Sequence, residues 1–226
     1  MVLLLGIDDA GRGPVLGPMI LAGCIIDSET EKEFKRLGIR DSKQLTQKRR
    51  EFLEEIIKEK SKDFHVISIS PEEIDTSNTE GIKLNEVEAL AAAKIINKLN
   101  SAANTGDTKV KVIVDCPSNS ITKWSDFLKM HINNLSNLEV SCEHKADQNH
   151  VVVSAASILA KCQREREMEK LKEKYGKEIG SGYTSDPATR KFLTTNLKKH
   201  DNKGIFRKSW KTWKKANNNL GQKKLF

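Results

Sequence analysis

The sequence predicts an α/β domain built on a mixed sheet of five strands flanked by helices, and three observations predict it. Five apolar, β-branched runs bounded by turn formers stand at residues 2–7, 19–26, 65–69, 110–114 and 138–142. Helical periodicity lies between and after them, and the order begins with strands and turns into strand–helix alternation, which argues for a central sheet with helices packed on it. In chain order, residues 2–7 and 19–26 are the first two strands. Phe52, Leu53, Ile56 and Ile57 then mark one face of a helix. After the strand at 65–69, Leu84, Val87, Leu90, Ala91 and Ile95 mark a second helix. Residues 101–107 are a polar loop containing glycine, followed by the strand at 110–114, a helix near 124–131 and the strand at 138–142. A long helical stretch runs from 154 toward 174, and shorter helices are expected at 186–198 and 207–216.

A chain of 226 residues is within the size of one hydrophobic core. We expect a catalytic domain over 1–198, a basic helical extension over 199–216 and a flexible tail over 217–226. No apolar run approaches the roughly 18 residues needed to span a bilayer, which excludes a helical membrane protein. Asp8 and Asp9 follow the apolar opening at once, leaving no room for a secretory signal, so a cytoplasmic protein is expected. Cys24, Cys116, Cys142 and Cys162 are scattered without a C-x-x-C pair, the pattern of reduced, mostly buried thiols. The absence of a long exposed apolar segment suggests a monomer.

The net charge of +8 is unevenly placed: residues 187–226 carry 12 Lys and Arg against the single acid Asp201, a local balance of +11, so the preceding 186 residues sum to −3. A basic end of this kind suits an acidic partner, above all nucleic acid, because each neutralised phosphate releases counterions. Trp210 and Trp213 lie inside the basic run, placed either to pack on sugar and bases or to anchor a final helix.

The acids carry the chemistry. The first strand leads into Gly6-Ile7-Asp8-Asp9-Ala10-Gly11-Arg12-Gly13-Pro14, two adjacent carboxylates followed by a glycine-rich turn. Adjacent acids repel, and an acid leaving an apolar strand is retained where something positive sits beside it. Asp115 repeats the arrangement at the end of the strand 110–114, and Asp147 precedes an apolar segment. Oxygen-only ligation suits Mg²⁺ or Mn²⁺, and no His or Cys stands at zinc-ligand spacing. Two such ions can activate water and stabilise the leaving oxygen of a phosphodiester. The backbone of Gly11, Arg12 and Gly13 can approach a sugar-phosphate closely, since glycine lacks the obstructing Cβ.

These residues resemble the ribonuclease HII family, from the first strand to about Trp213. The resemblance is carried by residues 6–14, by Asp41-Ser42-Lys43-Gln44-Leu45-Thr46, Asn85-Glu86, Asp115, Lys145-Ala146-Asp147, Ser154-Ala155-Ala156-Ser157-Ile158-Leu159-Ala160-Lys161, Gly180-Ser181-Gly182-Tyr183 and Ser185-Asp186-Pro187. Ser209-Trp210-Lys211-Thr212 and the short length resemble its archaeal or eukaryotic type. The resemblance implies a ribonuclease H-like fold with a small C-terminal helical extension. It implies endonucleolytic cleavage of RNA/DNA hybrids, and of single ribonucleotides in duplex DNA, on the 5′ side of the ribonucleotide, leaving 3′-hydroxyl and 5′-phosphate ends, as in replication and repair. It implies that Asp8, Asp9, Asp115 and Asp147 hold two divalent ions, Mn²⁺ or Mg²⁺, and that Gly11, Arg12 and Gly13 read the 2′-hydroxyl, the group that tells RNA from DNA. Tyr183 would pack on the following deoxyribose, Lys43 and Lys145 would contact phosphates, and Ser154 would join the substrate-binding set.

One position departs from that family: Asp9 stands where the family normally has Glu, drawing the carboxylate back by about one methylene, more than the ~0.5 Å tolerance of a catalytic constellation. A working enzyme that favours Mn²⁺ is expected; the alternative is a catalytically weakened nucleic-acid-binding protein on the same fold. Gln222, Leu225 and Phe226 resemble a shortened motif for binding the sliding clamp (PCNA).

Overall fold

The computed structural model describes residues 2–39, 45–103 and 108–222. Five strands form one sheet: β1 (Val2–Ala10), β2 (Met19–Ile26), β3 (Asp63–Ile69), β4 (Lys109–Asp115) and β5 (Leu138–Glu143), in the order β3-β2-β1-β4-β5. β1 is antiparallel to β2 and parallel to β4, and β4 is parallel to β5, so the sheet is mixed. All five expected strands are present, with one informative difference. β1 was expected to end at Ile7 but continues through Asp8 and Asp9, which pair with Ala22 and Leu21 of β2. The parallel ladder with β4 stops at Ile7↔Val114, while the antiparallel ladder goes on to Ala10↔Ile20 and keeps the acidic residues extended.

Nine helices are described: α1 (Ser28–Arg36), α2 (Gln47–Lys60), α3 (Pro71–Thr79), α4 (Leu84–Ala103), α5 (Ile121–Met130), α6 (Ala146–Asn149), α7 (Val151–Tyr175), α8 (Pro187–His200) and α9 (Lys211–Gln222). Among the described residues no helix is long and apolar enough to cross a membrane. The sequence pattern did not mark α1, α3 and α6. Caps rather than apolar stripes define the first two. The Asp27 side chain accepts from the Thr30 amide at 2.8 Å to start α1, and Ser70 and Glu73 form a reciprocal capping box around Pro71 to start α3.

The chain divides into two compact units. The first comprises Met1–Ala10, Ile20–Ile67 and Asn85–Cys162 and holds nearly all of the sheet. One sheet face carries Ile20, Ala22, Cys24 and Ile113 against Val152, Val153 and Ala155 of α7. Gly6 lets this helix come close, since a Cβ there would run into the backbone of Val152 and Val153. α4 covers the other face through Ile95, whose side chain lies 2.5 Å from where a Cβ of Gly23 would be. The four cysteines of this unit are thiols, three of them buried. Burial pushes the Cys24 thiol up to about 12, so it is an inert core residue.

The second unit comprises Gly11–Met19, Ser68–Leu84 and Gln163–Phe226. Its core is Val15, Leu16, Ile179, Phe192, Leu193, Leu197, Ile205 and Phe206, with Trp210, Trp213 and Ala216 packed on it. Both tryptophans are therefore anchors of the chain end. The helix expected at 207–216 instead spans Lys211–Gln222. The Asp75 carboxylate accepts from the amides of Lys208 at 2.7 Å and Ser209 at 2.9 Å, holding that stretch as a turn ahead of the helix. Residues 217–222, expected in the flexible tail, are helical; in the sequence Leu220 continues the 3–4 spacing of Trp213 and Ala216.

Candidate active site

In the first unit, strand geometry sorts the carboxylates. Side chains alternate along a strand, so Asp8 and Asp9 leave β1 on opposite faces of the sheet. One step beyond Ile7↔Val114, Asp8 stands beside Asp115 on the face that packs on α7. Asp9 shares the α4 face. A cavity of about 10 Å³ is lined by Asp8, Asp9 and Asp115 together with Glu88, Trp124 and Pro117. It has room for about one water-sized sphere, and it lies at the carboxyl ends of the parallel pair β1 and β4, where open α/β sheets place their ligands.

Asp8 is 7% exposed. Burial, then the Asp9 carboxylate, and further the Asp115 carboxylate push its carboxyl well above the usual carboxylate range. A hydrogen bond from Ser157 and one from the Asp9 amide, at 2.7 Å, act in the opposite direction. A carboxyl buried against two others is what a positive ligand would relieve. Asp115 Oδ1 accepts from the Ala146 amide at 2.7 Å, which ties the end of β4 to the first residue of α6. Asp147, 5% exposed, is the next residue of that helix. Lys145, just before it, has φ of 56°, a left-handed conformation that aims the Ala146 amide. Ser154 is buried, and its hydroxyl donates to the Asp147 carbonyl at 2.5 Å.

This donor set of carboxylate oxygens fits a hard divalent cation. Among the described residues no group of three or more His, Cys, Asp and Glu side chains is gathered into a shell that could hold a metal ion. The cavity also contains an acid that the sequence pattern did not single out, Glu88. It falls on the apolar stripe Leu84, Ala91, Ile95 of α4 and is 2% exposed; an acid at a stripe position was the available signal.

In the second unit the glycine-rich turn and Tyr183 come together. Val15 and Leu16 donate their amides to the Gly182 carbonyl at 3.0 and 3.4 Å, and Gly17 donates to Ile205 at 3.0 Å. Gly11 has φ of +81°, and a Cβ on it would strike the Arg164 side chain, so glycine is required there. At Gly13 a Cβ would meet only Tyr183 Cε1 at 3.8 Å, an ordinary contact. Tyr183 is 41% exposed, with the Arg164 guanidinium 5.8 Å from its ring centre. Arg164 is buried and donates to the carbonyls of Leu16, Pro18 and Ser181. Arg207 donates to Gly11, Arg12 and Gly17. Neither arginine was foreseen; the faint signals were a cation directly after the apolar pair Ile205-Phe206 and another on the helical stripe that follows Ser157 and Lys161. Lys43, Leu225 and Phe226 lie outside the described residues, and Gln222 is the last residue of α9.

The architecture is that of the ribonuclease H-like α/β proteins. The crystal structure of the ribonuclease H2 from Pyrococcus horikoshii OT3 superposes with a TM-score of 0.82 at 34% identity, covering 96% of this chain and 98% of that one. The ribonuclease HII of a PCNA:RNase HII complex from Archaeoglobus fulgidus superposes with a TM-score of 0.79 at 38% identity, covering 92% and 94%. A ribonuclease HII of Thermococcus onnurineus is 42% identical over 97% of this chain and 92% of its own length. The family model for ribonuclease HII matches residues 5–213. The chain belongs to the ribonuclease HII family, and it is a nuclease, a hydrolase of phosphodiester bonds.

Proposed function

We propose that the protein cleaves RNA/DNA hybrids and single ribonucleotides embedded in duplex DNA on the 5′ side of the ribonucleotide, leaving 3′-hydroxyl and 5′-phosphate ends. The observation that supports this most directly is the buried Asp8 set against Asp9 and Asp115 at the carboxyl edge of the sheet, in a chain of the ribonuclease HII family. Asp8, Asp9, Asp115 and Asp147 are the residues that would hold two divalent ions, Mg²⁺ or Mn²⁺. Bound there, such ions supply an activated water and charge stabilisation at the leaving oxygen. Asp115 is oriented for its part by the Ala146 amide, and Asp147 by Ser154 through its carbonyl. The backbone of Gly11, Arg12 and Gly13 meets the 2′-hydroxyl, which a deoxyribose lacks. The exposed Tyr183 ring beside Gly13 offers a flat apolar face to a neighbouring sugar. Lys43 and Lys145 contact phosphates.

The test is cleavage of a labelled DNA duplex carrying one ribonucleotide, in Mg²⁺ and Mn²⁺ in parallel, beside an all-DNA duplex. One cut 5′ of the ribonucleotide and none in the control is expected; equal cutting of both duplexes, or none with either metal, overturns the reading. Gln222, Leu225 and Phe226 engage the sliding clamp in this proposal, supported by the 38% identical relative seen in a PCNA:RNase HII complex. Removing residues 222–226 should abolish capture by PCNA and leave cleavage intact. A thiol state for all four cysteines suits a reducing compartment, and we place the protein, as a monomer, in the cytoplasm.

A further inference from the structure

Arg207 heads the largest fully buried side chains, at 0% exposed. A guanidinium brings five donors into the interior, and they must find acceptors. Here they converge on one loop. Nη2 donates to the Gly11 carbonyl at 2.6 Å and to that of Gly17 at 3.0 Å, Nη1 to that of Arg12 at 2.7 Å, and Nε again to Gly17 at 3.1 Å. The Trp210 indole lies 5.1 Å from the guanidinium, and its Nε1 donates to the Gly13 carbonyl at 3.2 Å. Three successive carbonyls, those of residues 11, 12 and 13, are thus held by two side chains from the C-terminal part of the chain.

A trans peptide is planar, so the N–H of one residue points opposite to the C=O of the residue before it. Drawing in the Gly11 and Arg12 carbonyls therefore turns the Arg12 and Gly13 amides the other way. The peptide after Gly13 ends in Pro14, which has no N–H. The amides of Val15, Leu16 and Gly17 are already donated to Gly182 and Ile205. By that peptide geometry the Arg12 and Gly13 amides face away from the Arg207 guanidinium, in the stretch that includes the exposed Gly13 and the Tyr183 ring near it.

We propose that Arg207 and Trp210 are positioning residues for ribose recognition: by anchoring the carbonyls of residues 11–13 they fix the direction of the Arg12 and Gly13 amides. The inference rests on the reading that these amides meet the 2′-hydroxyl. A lysine cannot replace Arg207, since one ammonium lacks the planar fork that spans several carbonyls.

The test uses the full chain with Trp210→Phe, which keeps an aromatic ring against the second core and removes the donor, and with Arg207→Lys. Fluorescence anisotropy in EDTA reads affinity for a DNA duplex carrying one ribonucleotide and for the all-DNA duplex. The wild type is expected to prefer the first. In Trp210→Phe that preference should shrink by about threefold to tenfold, the scale of one lost hydrogen bond, with all-DNA affinity within about twofold; Arg207→Lys should erase it. A purely structural role would lower both affinities together and leave their ratio in place, which overturns the proposal. If Arg207→Lys does not fold, the ¹⁵N–¹H resonances of the Arg12 and Gly13 amides in Trp210→Phe decide: a shift confined to these and their neighbours supports the proposal, and unmoved resonances overturn it. A wild type without any ribonucleotide preference refutes the underlying reading of the amides. A preference equal in wild type and both variants refutes the positioning role alone.

Discussion

Gly11 and Gly13 stand two positions apart and answer to different constraints. At Gly11 the left-handed φ of +81° and the Arg164 side chain both demand a missing Cβ, so Gly11→Ala should destabilise the protein by about 1–3 kcal/mol, read as a lower urea midpoint. At Gly13 the fold leaves space, the nearest atom to a Cβ being Tyr183 Cε1 at 3.8 Å. Gly13→Ala should therefore change stability by no more than about 0.5 kcal/mol yet lower cleavage of the ribonucleotide duplex at least about tenfold, a loss of roughly 1.4 kcal/mol in the transition state. Unimpaired cleavage by Gly13→Ala would remove the case for a sugar at this place. Asp9 poses the converse question. Its carboxylate is one methylene shorter than the Glu expected there, and it leaves β1 on the α4 face, opposite to Asp8, although both line the same cavity. Asp9→Glu should raise turnover with Mg²⁺ by about tenfold and narrow the advantage of Mn²⁺, because the longer side chain reaches further from its strand. Unchanged turnover with Mg²⁺ would show that Asp9 already serves.

At the scale of elements, α1 depends on Asp27. This carboxylate accepts from the Thr30 amide at 2.8 Å and pairs with Lys62 at 3.0 Å. The Thr30 amide first, and Lys62 next, lower its pKa from the ordinary 3.8 to about 2. A folded value below the unfolded one means that the charged form stabilises the fold. The contribution is present above the unfolded value and is lost as pH falls through the folded one. Asp27→Ala should cost about 1 kcal/mol at pH 7, and its gap from wild type should narrow as pH falls from about 4 toward 2; a gap independent of pH in urea unfolding would argue for packing instead. The same helix shows why some elements were hidden in the sequence. α1 buries only Phe34, and α3 only Pro71 and Ile74, so neither has an apolar stripe to find. The strands were legible because their apolar runs are continuous, and the acids because each follows or precedes such a run. The extension of β1 through Asp8 and Asp9 was not, since a partner strand dictates it. Arg207 was hidden for a related reason: in sequence a buried arginine looks like a surface one, and its acceptors at Gly11 and Arg12 lie 196 and 195 residues away.

Over the whole molecule, charge separates two kinds of affinity. Residues 187–226 carry +11 and the remainder −3, an imbalance already legible in the composition. The structure adds where part of that charge stands. On α9, Trp213 and Ala216 turn to the second core, while Lys211, Lys214 and Lys215 are exposed. Exposed lysines on an anchored helix can neutralise phosphates of any sequence and any sugar, and such ion pairs carry no information about the 2′-hydroxyl. The double substitution Lys214→Glu, Lys215→Glu should therefore weaken binding to the ribonucleotide duplex and to the all-DNA duplex by the same factor. It should also flatten the dependence of log affinity on log salt by roughly 0.9 for each phosphate that is no longer neutralised, up to about 2 in all. The ratio of the two affinities should stay at its wild-type value, the opposite of what Trp210→Phe does three residues away from Trp213. A salt slope unchanged by the charge reversal would mean that α9 is a solvated basic surface, and that the positive end of the chain contributes to solubility rather than to holding nucleic acid.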